Sequence, residues 1–411
     1  MKRILEMAVV VCMVALVPVS VYASGYFIYH QDTKAQGQAG AFTAQADNPS
    51  AIYYNPAGMS QLDSTQISLG SRFIRLESRY KNQQGLHEDL DAEWAVVPNL
   101  YITSDLGTEK LTVGLGAYAP FGLGTKWPGD GLLRYVTTDA GFQMVDINPS
   151  IAYQILPQLS VGAGIDYYNV YSYTSELKQN FVIGDAKVKL DVDGDGWGFN
   201  LGGLWKPHPQ HSFGLAYRSK VNIDFKGDLK YKDIPAGLGY PPGISYKVKE
   251  SGSLPSVVSG GYAFKPIDAL KLEADVYWVE WSVMGTAKLK NADTGAILQQ
   301  IDDDWKDTWI FAFGGEYQLN QKVALRAGYS FQQNAIPEKS FRALVPDSDL
   351  HLIALGVGFN LEKFTLDLAY AYGMYTERDI SNSVGADIGT TVNGSYDTRL
   401  HIVGATLGYK F

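Results

Sequence analysis

The chain has 411 residues, a single cysteine and a net charge of −9, with 34 Lys and Arg against 43 Asp and Glu. The acidic balance argues against a nucleic-acid partner, and one cysteine excludes a disulfide scaffold. Beyond residue 23 no apolar run is long enough to cross a bilayer as a helix, which excludes a helical membrane protein but not a barrel, whose strands face lipid only with alternate residues.

Residues 1–23 read as a secretory signal. Lys2 and Arg3 supply the positive start, residues 7–17 the apolar core, and Val21-Tyr22-Ala23 a small-x-small-like cleavage site. Pro18 and Ser20 interrupt the run before it reaches spanning length. Cleavage would begin the mature chain at Ser24 and remove Cys12.

Residues 24–64 follow. They alternate poorly and are rich in Gly, Ala, Gln, Asn and Asp, with apolar residues at their start and around residues 52–56. Such a segment cannot bury enough surface to fold alone. It is expected to pack as a plug inside whatever the rest of the chain builds.

From Thr65 onward fourteen segments show period-2 patterning, each long enough to cross a bilayer when tilted. In residues 158–173 the face Leu159, Val161, Ala163, Ile165, Tyr167, Tyr171 and Tyr173 opposes Ser160, Gly162, Gly164, Asp166, Tyr168 and Ser172. Residues 212–225 set Phe213, Leu215, Tyr217, Val221, Ile223 and Phe225 against Gly214, Ala216, Arg218, Lys220, Asn222 and Asp224. Residues 305–319 and 364–374 repeat the pattern. Short links alternate with long polar ones, among them 122–140, 176–187, 227–250 and 286–304. Short turns at one rim and long loops at the other mark an outer-membrane barrel; a soluble sandwich lacks that asymmetry.

The 27 tyrosines, with Trp and Phe near strand ends, fit aromatic girdles at two membrane interfaces. The last strand ends Val403-x-Ala405-x-Leu407-x-Tyr409-x-Phe411, a pattern expected to be read by barrel assembly machinery. The fold expected is therefore all-β, a closed antiparallel transmembrane barrel of fourteen strands over residues 65–411, with residues 24–64 inside it. Such a lumen is wide enough to admit chain.

Ser24-Gly25-Tyr26 after a signal peptide, a Gly/Ala-rich stretch, and Asn55-Pro56-Ala57-Gly58 resemble the long-chain fatty acid transporter (FadL/TodX) family of outer-membrane proteins. Residues 119–124 with Trp127 and Arg134-Tyr135, and residues 146–153, support the likeness. The resemblance implies a 14-stranded barrel closed by an N-terminal hatch, Asn55, Pro56 and Ala57 lying in that hatch. It implies passive transport of long-chain fatty acids or aromatic hydrocarbons, through a pocket beside Ser24, Gly25, Tyr26 and Phe27 and sideways past an inward kink in the third strand. It implies a location in the outer membrane of a Gram-negative bacterium.

The residues agree with that outline. In 110–120, inward Gly114 and Gly116 permit close backbone approach and Pro120 cannot donate to a ladder, so a kink there against the Asn55-Pro56-Ala57 turn is expected. The loop from Phe121 to Ala140 carries Phe121, Leu123, Trp127, Leu132, Leu133 and Tyr135, an apolar surface suited to a capture groove or to packing on a neighbouring loop. By register Arg218, Lys220, Lys271 and Arg326 point into the lumen near Asp224, Glu273, Asp275 and Glu316; Arg218 or Arg326 is a candidate for a fatty acid carboxylate, internal pairing being the alternative.

No catalytic motif, phosphate loop or metal spacing appears, so neither an enzyme nor a cofactor is expected. Asp191–Gly196 copies half a calcium loop, but position twelve is Gly202 and the following residues read as strand. Solvated acidic loops, with lipopolysaccharide as a rim contact, are the simpler reading. Partners expected are hydrophobic small molecules, outer-membrane lipid and lipopolysaccharide, and the protein is expected to be a monomer. The competing classes are a general diffusion porin and a structural or adhesive barrel.

Overall fold

A computed structural model describes residues 25–181, 183–236, 240–386 and 389–411. The leader 1–23 and Ser24 lie outside the described residues.

Fourteen strands form the wall: β1 (Thr65–Asn82), β2 (Ala95–Ser104), β3 (Leu111–Tyr118), β4 (Asp139–Leu156) and β5 (Leu159–Asn180). Next come β6 (Asp185–His208), β7 (His211–Arg218), β8 (Val257–Ile267), β9 (Leu270–Val279) and β10 (Thr308–Asn320). The last four are β11 (Val323–Gln332), β12 (Leu350–Leu361), β13 (Phe364–Tyr375) and β14 (Gly394–Lys410). Each pairs antiparallel with its neighbours, and β14 closes the ring on β1 from Gln66↔Lys410 to Asn82↔Gly394. The wall thus has no free edge along the seam, as a barrel in lipid requires.

Alternation works as the pattern demands. Leu69, Phe73, Leu115, Val161, Leu215 and Leu355 stand exposed on the outer face, an apolar belt for lipid, whereas Ser68, Arg72, Asp166, Glu273 and Asp367 turn inward and are buried. Two expected faces are corrected by local geometry. The ladder of β5 slips at Val170/Tyr173, so Tyr173 turns to the interior, away from the face of Leu159–Ile165. Residues 212–225 are not one strand: β7 stops at Arg218, Ser219 bonds to Phe199 instead, and Val221, Ile223 and Phe225 are buried inside. The same break leaves Lys220 exposed rather than in the lumen.

The long-loop rim is also more regular than expected. The polar stretch 176–187 continues the β5–β6 hairpin up to Asn180↔Asp185. The strand Val221–Lys232 pairs with the upper half of β6 and with Gly243–Leu254, which in turn meets the hairpin of Thr286–Asn291 and Ile297–Asp302. These hairpins raise one side of the wall into a curved parapet. Asp191–Gly196 lies inside β6 as strand.

Residues 25–62 lie in the lumen, nearly all of them buried. They contain two single-turn helices, Thr33–Gln36 and Ala51–Tyr54, and the 3-10 helix Pro56–Gln61. Asp32 caps the first through Oδ1, accepting from the amides of Lys34 and Ala35. Asn55 caps the third, its Oδ1 accepting from the amide of Ala57, with Pro56 at the first position, where a missing N–H is harmless.

Candidate functional site

The inner segment is held by wall side chains that complete its backbone. Asp275 Oδ2 accepts from the amides of Phe42 and Thr43, both at 2.8 Å, and Glu273 accepts from Ala44 at 2.6 Å and Gln45 at 3.0 Å. Segments too irregular to satisfy their own N–H groups must find such acceptors when buried. Asn55 Nδ2 donates to the carbonyls of Thr43 and Gly203. The turn at Asn55-Pro56-Ala57 presses on β5 and β6, where a Cβ at Gly162 or Gly202 would stand 2.4 Å from Pro56 and 2.2 Å from Asn55 Oδ1. The contact with β3 expected from the sequence is made by residues flanking that turn: Gly114 and Gly116 accommodate Ile52, with Met59 also against Gly114.

The third strand does leave the wall. The β2–β3 ladder runs only from Leu100↔Ala117 to Ser104↔Val113. Residues 119–122 turn inward and pair with the inner segment: Ile28 donates to the carbonyl of Pro120 at 2.8 Å, Gly122 donates to Tyr26 at 2.9 Å, and Phe27 and Phe121 form a bridge. Gln31 Nε2 donates to the carbonyl of Ala119 at 2.7 Å. The chain rejoins the wall as Leu123–Lys126 against the upper part of β4. Residues 95–99 of β2 consequently have no β3 partner, and the wall is interrupted there.

Above this interruption lies a chamber of about 450 Å³ enclosed by the parapet, within the size range of small-ligand sites. Its floor is Tyr26, whose ring packs at 4.9 Å from Trp281, 5.4 Å from Phe142 and 5.7 Å from Trp305. The Tyr26 hydroxyl donates to Met284 Sδ. Gly25 has φ +70° and a Cβ there would sit 2.7 Å from Trp281, so glycine is required both by conformation and by space. Phe225, Leu229, Leu289 and Leu344 continue the apolar lining, into which Arg342, Asp303 and Glu250 project. Burial raises the Asp303 carboxyl to about 6, Arg342 opposing the rise and Asp302 and Asp304 adding to it. Glu250 is raised by burial and by Asp303. Among the described residues no carboxylate lies within ion-pair distance of Arg342, and its Nε has no hydrogen-bond partner.

The other expected residues divide. Phe27 and Phe121 sit just beneath the chamber, their rings 5.4 Å apart. Trp127, Leu132 and Leu133 pack into the loop core instead: the Trp127 indole donates to the carbonyl of Ala343, and Glu88 accepts from the amides of Leu132 and Leu133. Leu123 lies in the short strand that rejoins β4. Arg218 and Arg326 are placed away from the chamber and are already matched. Arg218 binds Asp146 at 3.0 Å and Asp166, with the Tyr118 hydroxyl at 2.9 Å from Nη2. Arg326 holds Glu316 at 2.7 Å and Asp367 at 2.5 Å. Lys271 is paired with Asp47. Trp281, Met284, Trp305 and Arg342 were not anticipated; the signal for them is apolar and aromatic residues within otherwise polar loops.

A barrel of fourteen strands, filled from its own N-terminus and broken at the third strand, now has known counterparts. Residues 14–411 match the outer membrane protein transport protein family (OMPP1/FadL/TodX). The chain belongs to this family. It is 27% identical to the outer membrane protein NMB0088 of Neisseria meningitidis serogroup B, with 97% of each chain covered. It is 24% identical to a long-chain fatty acid transport protein of Escherichia coli, covering 87% of this chain and 89% of that one. In fold it is similar to a Pseudomonas aeruginosa FadL homologue, with a TM-score of 0.85 at 20% identity over 94% of this chain and 100% of that one. The FadL/TodX chain described here is thus an outer-membrane protein of a transport family.

Proposed function

We propose that the protein is a passive transporter of long-chain fatty acids. The acid enters the chamber, passes Tyr26 and Phe27, and leaves sideways between β2 and the inturned residues 119–122. Residues 24–64 act as the hatch, blocking a straight aqueous path, and the mature chain starts at Ser24. The observation that carries this reading is the exchange of ladder partners at the third strand: Pro120 and Gly122 bond the inner segment instead of β2, directly below an apolar chamber.

Arg342 favours an acid over a hydrocarbon. A guanidinium without a carboxylate partner in an apolar chamber is suited to a carboxylate head. The aromatic floor of Tyr26, Phe142, Trp281 and Trp305 supports the second reading, uptake of aromatic hydrocarbons, which is what a structural neighbour, the toluene transporter TodX of Pseudomonas putida, is named for.

Native mass spectrometry and lipid extraction of protein purified in mild detergent test the proposal. Retained fatty acid that is lost on deletion of residues 24–27 is the expected result. An empty chamber, with porin-like conductance that does not rise when residues 24–64 are deleted, would overturn it.

A further inference from the structure

Among the described residues three arginines are buried in the lower lumen beside the part-buried Lys34, and all but one of these four cations are answered. Arg218 has Asp146 and Asp166, Arg326 has Glu316 and Asp367, and Lys34 has Asp47 at 2.8 Å. Arg72 of β1 has none. It is fully buried, yet its guanidinium makes only two long bonds, Nη1 to Asn99 Oδ1 at 3.3 Å and Nη2 to the carbonyl of Val97 at 3.4 Å, and its Nε has no partner. Asp32 lies within its field but beyond ion-pair distance; its Oδ1 caps Thr33–Gln36, and its Oδ2 is buried without a partner. An unpaired charge in such a place is strongly disfavoured.

Two more orphans share the patch. Asn99 Nδ2 has no acceptor, and neither ring nitrogen of His30 has a partner, although the ring is buried, stacks 4.0 Å from that of Tyr29 and feels the Arg72 charge. Val97 and Asn99 belong to residues 95–99 of β2, the stretch deserted by β3. The unmatched donors therefore stand at the wall opening, on its lumen side.

We propose that Arg72, with Asn99 and His30, forms a transient carboxylate site at the opening, where the head of a departing long-chain acid is held while its tail enters the membrane. The site rests on the lateral route proposed above. Its acceptor is the ligand, since among the described residues no carboxylate reaches ion-pair distance of Arg72. Two long bonds hold the guanidinium in place without saturating it, so release follows once the head passes.

The test compares entry of radiolabelled oleate and of oleyl alcohol, an uncharged probe of equal length, into cells producing the full chain. Folding of each variant is read first by heat-dependent gel mobility. Arg72→Met should slow oleate by about tenfold or more and leave the alcohol unchanged, and Arg72→Lys should recover part of the loss. Asn99→Asp gives Arg72 an internal partner: it should raise thermal stability and still slow oleate. A purely structural Arg72 predicts the same gain in stability for Asn99→Asp but oleate entry intact, and that result would overturn the site, as would equal loss of both probes in Arg72→Met. Ala119→Trp reports on the route separately. If it leaves both probes unaffected, the lateral exit fails, whereas the acid-to-alcohol ratio in the Arg72 and Asn99 variants judges the carboxylate site.

Discussion

Below Tyr26 the lumen is packed with chain pinned by charged groups: Asp275 and Glu273 complete four amides, and Arg218 and Arg326 each hold two carboxylates, whereas side-chain atoms of His30, Arg72 and Asn99 are left unmatched. Above Tyr26 the parapet encloses about 450 Å³ in which Leu and Val side chains are joined by Ser, Thr, Glu250, Asp303 and Arg342. The lower half spends polar groups on fixing a segment that cannot fold alone. The upper half leaves space beside Arg342, which is what a binding region needs.

The largest effect should come from breaking a matched set below. Arg218→Met strands Asp146 and Asp166 in the interior, and thermal unfolding in detergent should show a loss of about 3–5 kcal/mol. Adding Asp146→Asn and Asp166→Asn to the same chain should recover most of it; no recovery would mean that packing, not charge, holds that region.

Next is contact between wall and inner segment. Gly202→Val drives a side chain into Asn55 and Pro56, for about 1–3 kcal/mol and a rise in single-channel conductance. Gly203 is the matched control, since a Cβ there meets nothing within 4 Å. Its valine variant should stay within about 0.5 kcal/mol of the parent.

In the chamber the effects become smaller and turn from stability to ligand. Asp303 titrates near 6, above its ordinary value, because it is buried. Its contribution to stability is therefore full below the unfolded pKa and is lost as pH rises through about 6. By the same sign, protonation removes a negative charge beside Arg342, so oleate should bind more tightly as pH falls through about 6. Asp303→Asn should bind with the tighter affinity at all pH values, measured by calorimetry. The smallest expected change in ligand affinity is from Leu229→Ala in the lining: about 2 kcal/mol in stability and about threefold weaker oleate binding.

The wall was legible in sequence because period-2 patterning is imposed by lipid outside and a polar lumen inside, as Leu159–Ile165 against Ser160–Asp166 shows. It misled where the backbone slips. A ladder irregularity at Val170/Tyr173 and the break at Ser219 flip the faces of Tyr173, Val221, Ile223 and Phe225, and no residue type announces either. The candidate site was legible in part. Gly25 and Tyr26 were marked by the resemblance to the FadL/TodX family, and Pro120 by its inability to donate to a ladder, next to the residues that turn inward at 119–122. Arg342 and Trp281 were hidden because loop residues meet only through tertiary folding. Arg72 was hidden for another reason: whether a lumen cation is answered depends on which neighbours reach it, and only the register of β1 with β2 decides that.

The seam between β1 and β14 joins residues more than 300 positions apart, and residues 25–62 lie inside the ring it closes. The described inner segment runs from the start of β1 at the short-turn rim up to Gly25 below the chamber. Assembly must either close the wall around that segment or thread it afterwards from the short-turn side. On the proposed start at Ser24, a bulky fusion at that end would have to occupy the chamber, whereas one appended after Phe411, which donates its amide to the Thr65 carbonyl at the rim, would hang clear of it.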